Sequence, residues 1–164
     1  MDQRTTKIFD LLQEKVRLAP LQRRLFYLLF GILWASGVLW IVAEWAKDPE
    51  LGPIRTPLQA LTMKVHGAIM LAYLAMLGSF LTHVRMGMAL KVNRLSGSSI
   101  IAINVILSVT DWMLYYLTDN LLRQWSSAAH WMIGISALLL VLAHIFLGRG
   151  WATRLQESKS MRIN

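Results

Sequence analysis

The chain has 164 residues, 55% hydrophobic and only 16% charged, which leaves too little polar surface to cover a soluble globule of that size and indicates a membrane protein. It contains no cysteine, which excludes disulfides, thiolate-held iron–sulfur clusters, thiolate-ligated zinc and the covalent attachment of a c-type haem. The formal charge of +8 does not point to nucleic acid, because the basic residues flank apolar stretches and do not gather on one face among aromatics.

Residues 1–24 read as a cytoplasmic leader. Between Lys7 and Arg24, the apolar residues Ile8, Leu12, Val16 and Ala19 recur among charged neighbours until Pro20 interrupts them, the pattern of a short amphipathic helix on a membrane surface. It serves either as a solvated leader or as a docking strip for a partner. Four apolar stretches follow, at 25–45, 65–84, 100–117 and 128–147, each close to the ~20 residues a helix needs to cross a ~30 Å hydrocarbon core. The first is too long for a cleaved signal and lacks a small-residue cleavage pattern. Lipid offers the backbone no hydrogen bonds, so such stretches must be helices. The expected fold is all-α: an integral membrane four-helix up-and-down bundle over 25–149, followed by a polar, frayed cytoplasmic tail at 150–164.

Cations orient the bundle. Arg4, Lys7, Lys15, Arg17, Arg23 and Arg24 precede the first span, Arg85, Lys91 and Arg94 lie in the second connection, and Arg149, Arg154, Lys159 and Arg162 follow the last span. The first connection mixes Glu44, Lys47, Asp48, Glu50 and Arg55, with Lys64 at the next helix's edge, and the third has Asp119 and Arg123. The positive-inside rule therefore places both termini in the cytoplasm. Trp40, Trp45, Trp112, Trp125 and Trp131 then fall near the outer boundary, where indole rings favour the headgroup layer.

All four histidines lie in two of the four spans, one near each end of helix two (His66, His83) and one near each end of helix four (His130, His144). In an up-and-down bundle these helices run the same way, so His66 pairs in depth with His130 and His83 with His144. Imidazole on both sides of a porphyrin saturates the iron and favours electron transfer over oxygen binding. The pattern predicts two bis-histidine haems b, with all four histidines as iron ligands. Zinc or copper fits less well, since two histidines at each depth fall short of the three or four ligands those metals take.

Helical spacing tests the pairing. His130 and His144 are 14 residues apart, within about 40° of whole turns, and share a face. His66 and His83 are 17 apart, about 100° off in a straight helix, so both sites form only with a bend or bulge near Gly78, or with a helix tilted and wound around its neighbour. Interhelical hydrogen bonding, with no metal at all, is the competing reading of such histidines.

Other residues add candidate roles. Arg85 and Arg149, just beyond the inner histidines, and Lys64, Arg55 and Arg123, near the outer pair, either hold haem propionates or snorkel to the interface. Gly67 and Ala68 after His66, Gly134 after His130 and Ala143 before His144 suit a flat cofactor, or simple helix packing, as do Gly31 and Gly37. Asp111, inside the third apolar stretch beside Thr110, either accepts a proton from a quinol or hydrogen-bonds a haem or a neighbouring helix. Asn104 is expected to hydrogen-bond between helices.

The segments VHGAIMLAYLAMLGSFLTHVRMG, NRLSG and SVTDWMLYYLTDNLLRQWSSAAHWMIGISALLLVLAHIFLGR resemble the small bacterial four-helix cytochrome b group, related to cytochrome b561 and to a DUF4405-type domain. The resemblance covers roughly 25–149 and implies haem b ligation at His66, His83, His130 and His144 in the bacterial inner membrane. Helices one and three lack histidine, unlike b561-type cytochromes, so no specific activity of theirs carries over. The function expected is electron transfer across the bilayer, between the quinone pool and a periplasmic or membrane redox protein, as a subunit of a larger hetero-oligomeric oxidoreductase. A stand-alone quinol, ferric-iron or superoxide oxidoreductase and a haem-free structural or assembly subunit are the alternatives.

Overall fold

A computed structural model describes residues 18–52, 54–89 and 94–163, with the side chains of Leu51 and of 149–163 excepted. Among these residues the structure is entirely helical: α1 (Pro20–Trp45), a 3-10 turn (Pro49–Leu51), α2 (Pro57–Gly78), α3 (Leu81–Ala89), α4 (Arg94–Tyr116) and α5 (Asn120–Ile163). Local chemistry sets several starts. Pro20 and Pro57 occupy first-turn positions, where a missing N–H costs nothing. Thr56 and Gln59 form a reciprocal capping box on α2, and the Asp119 carboxylate accepts the Leu122 amide 2.8 Å away at the start of α5. The 3-10 turn starts with the Asp48 carboxylate accepting from the Glu50 amide at 2.9 Å and stops at Gly52, whose φ of 52° suits a residue without Cβ.

Four helical segments are long and apolar enough to cross a membrane: Pro20–Trp45, Pro57–Ser79, Arg94–Tyr116 and Asn120–Gly148. Their outer faces carry leucines such as Leu71 and Leu139, 67% and 70% exposed. Surfaces so apolar suit lipid, which demands satisfied backbone and not buried side chains. The helices outrun the apolar stretches. α2 begins eight residues before Val65, α4 six before Ile100 and α5 eight before Ala128, because polar residues continue a helix's hydrogen bonds outside the hydrocarbon. The tail expected to fray is instead helical through Ile163. Pro20, expected to interrupt a surface helix, starts α1, which takes in the leader's last residues; residues 1–17 lie outside those described.

The chain divides into two compact units, Met1–Met86 and Gly87–Asn164. In the first, α1 and α2 form an antiparallel hairpin: Glu44 meets Gln59, Ser36 meets His66, Phe30 and Phe26 meet Tyr73, and Gln22 meets Ser79. Gln59 is fully buried, its amide donating to the Glu44 carboxylate and its Oε1 accepting the Thr56 amide at 2.8 Å. The opposite end is aromatic. Phe26 lies 5.8 Å from Tyr73 and 5.3 Å from Phe80, centroid to centroid.

In the second unit, α4 and the first part of α5 repeat this geometry. Met113 meets Ser126, Thr110 meets His130, Leu107 meets Gly134 and Ser96 meets His144, a register that holds along the pair. The connection is only residues 117–119.

Candidate functional site

Within each hairpin, histidine on the later helix is met by a hydroxyl on the earlier one. Ser36 Oγ lies 3.1 Å from His66 Nδ1, Thr110 Oγ1 2.9 Å from His130 Nδ1, and Ser96 Oγ 2.9 Å from His144 Nδ1. Ser36 and Thr110 are buried and the three rings partly so. A hydrogen bond at Nδ1 fixes ring rotation and directs the chemistry of the imidazole to Nε2, the arrangement usual for histidines that ligate metal. His83 is held differently: its ring meets Phe80 edge-on, with centroids 6.5 Å apart.

Glycine follows serine at two of these contacts. A Cβ on Gly37 would come within 3.2 Å of His66 Cε1, so the ring would have to give by a few tenths of an ångström to admit a larger residue. At Gly97 the corresponding distance to His144 Cε1 is 3.8 Å, an ordinary contact. Gly134 faces Leu107 Cδ2 at 3.9 Å, whereas Gly31, Gly67 and Gly78 face open space. Gly37 is therefore the glycine tied to a histidine by close approach.

The helix is interrupted close to Gly78. α2 stops there, and Ser79 (φ −67°, ψ −16°) and Phe80 close a tighter turn, with Phe80 N bonded to Leu77 O at 3.0 Å before α3 resumes. A 3-10 step rotates about 20° more per residue than an α-helical one. Two such residues reduce the angular mismatch between His66 and His83 from about 100° to about 60°. The turn is pinned across the hairpin by Gln22 Nε2, which donates to Ser79 Oγ at 3.0 Å.

Chain comparison is silent. No family model, curated protein or solved structure matches this sequence.

The remaining candidates divide. Asp111 is half-buried and follows Thr110, whose hydroxyl meets His130. Arg85, Lys64, Arg55 and Arg123 are exposed, while Arg149 has a side chain outside those described. The Asn104 amide, expected to bond between helices, donates 2.8 Å to Ile100 O of its own helix, a bond that short polar side chains commonly make inside helices. Among the described residues no group of three or more His, Cys, Asp or Glu comes together. Sequence reading missed the hydroxyls of Ser36, Ser96 and Thr110 and the buried Gln59. It also missed that the Trp40 indole N–H, one turn beyond Ser36, is buried and meets no hydrogen-bond acceptor among the described residues.

These features fit a porphyrin. The donors are imidazoles anchored through Nδ1, Gly37 clears the ring of His66, and an orphaned indole N–H stands ready for a carboxylate or carbonyl oxygen.

Proposed function

We propose that the chain is a multi-pass, di-haem b-type cytochrome of the bacterial inner membrane, an up-and-down bundle with cytoplasmic termini that passes electrons between the quinone pool and a redox partner. The observation that carries this reading is the set of hydroxyl-anchored histidines, three of four engaged at Nδ1 from the adjacent helix. Helix packing alone requires no such uniform choice of ring nitrogen.

His66 and His130 ligate the outer haem and His83 and His144 the inner one, a pairing taken from their positions along the spans. Bound haem b supplies reversible one-electron exchange at iron. The chain's own residues hold the ligands, exclude water and set the local charge. Arg85 and Arg149 offer cations to inner-haem carboxylates, and Trp40 an N–H at the outer end. Asp111, next in sequence to the Thr110 that meets His130, would accept one of the two protons that a quinol releases on oxidation. A three-residue connection in the second hairpin offers no room for a soluble substrate domain, which favours a subunit of a larger hetero-oligomeric oxidoreductase.

Single alanine substitutions test the assignment. Haem per purified protein should fall from two to one in each of His66→Ala, His83→Ala, His130→Ala and His144→Ala, and the same haem should vanish within each pair. Unchanged haem content in all four would end the proposal.

A further inference from the structure

The hydroxyls beside His66 and His130 have neighbours on two sides. Ser36 Oγ lies 2.9 Å from Leu33 O of its own helix as well as 3.1 Å from His66 Nδ1. Thr110 Oγ1 lies 2.9 Å from Ile106 O and 3.0 Å from Leu107 O, as well as 2.9 Å from His130 Nδ1. A hydroxyl carries one proton, and a carbonyl can only accept. If that proton goes to the helix carbonyl, the hydroxyl can meet Nδ1 only as an acceptor, and the ring must supply the N–H.

We propose that Ser36 and Thr110 are matched positioning residues: each passes its proton to a backbone carbonyl, accepts Nδ1–H from the histidine, and so locks His66 and His130 into the tautomer whose Nε2 carries a lone pair. The relay runs His Nδ1–H to hydroxyl to backbone carbonyl on both hairpins, although one uses serine and the other threonine. In a medium without water neither hydroxyl has a solvent alternative, so the helix itself dictates the direction of the bond. Donation from Nδ1–H makes the imidazole more basic, which strengthens its bond to iron and favours the ferric state.

This inference rests on the haem reading for its redox consequence but not for the tautomer, and the two are separated by measuring both. Nitrogen-15 NMR of full-length, histidine-labelled protein in lipid nanodiscs, purified without haem, should show His66 and His130 protonated at Nδ1. Ser36→Ala and Thr110→Val should move the corresponding ring towards the Nε2–H form, and Ser36→Thr and Thr110→Ser should restore it. After haem loading, the same two variants should weaken retention of the outer haem about 10- to 100-fold and raise its midpoint potential, leaving the inner haem unchanged. Nε2–H rings in the unmodified protein, or variants that change neither ring signal nor potential, would overturn the relay. A chain that takes up no haem would instead remove the cytochrome reading, and the ring spectra would still decide the relay.

Discussion

His66 sits where a single methyl group decides whether its ring fits. Alanine at position 37 would press a Cβ to 3.2 Å from Cε1, so Gly37→Ala should displace the imidazole by a few tenths of an ångström and cost about 1–3 kcal/mol of overpacking. Gly97→Ala, at 3.8 Å from His144, should change stability by no more than about 0.5 kcal/mol. Denaturation of the two variants in detergent and their reduced α bands provide the comparison, with only the first expected to disturb the outer haem. The four histidines and Asp111 could be found in the sequence because ionisable groups inside apolar stretches stand out. Ser36 and Thr110 could not, since a hydroxyl in a membrane helix usually satisfies itself on its own backbone, and only the hairpin register reveals which ones also meet a ring. One signal was available: the dipeptide Ser-Gly occurs at both Ser36 and Ser96, each opposite a histidine.

At the scale of the helix, the break between α2 and α3 governs where His83 points relative to His66. Inserting two alanines between Ser79 and Phe80 would rotate everything beyond it by about 200°, carrying His83 from about 60° on one side of the His66 face to about 140° on the other. The expected result is a protein that keeps the outer haem and loses the inner one, halving the α-band absorbance. The opposite end of the same hairpin depends on Gln59. Gln59→Leu removes the partner of the Glu44 carboxylate and of the Thr56 amide, and should destabilise the unit by about 1–3 kcal/mol in unfolding titrations. The four spans were legible because hydropathy reports on the solvent around a helix. Their ends were not: Pro57 and Asn120 begin helices in polar sequence, where capping side chains and not apolarity fix the boundary. The 17-residue spacing between His66 and His83 exposed the mismatch in facing, but not the interruption at Ser79 and Phe80, which is set by the tightened turn and the Gln22 bond.

For the whole molecule, the proposed topology makes a prediction suited to a chain without native cysteine. Single cysteines at Asp48 and Asp119 should react with a membrane-impermeant maleimide in cells with a permeabilised outer membrane, whereas those at Lys91 and Arg162 should react only after the inner membrane is opened. The reverse labelling pattern would contradict cytoplasmic termini. Exposed aromatics close to the second hairpin's turn, among them Trp112, Tyr116 and Trp125, suit the headgroup layer on the side that the labels would define as external. Electron transfer across the bilayer depends on two redox centres being present in this one chain, and absorption spectroscopy of the purified protein tests that most directly. A Soret band with a split α band after dithionite reduction, quantified as two haems b per polypeptide, is the expected result. Protein that stays colourless, even when produced and purified with added haem, would contradict it.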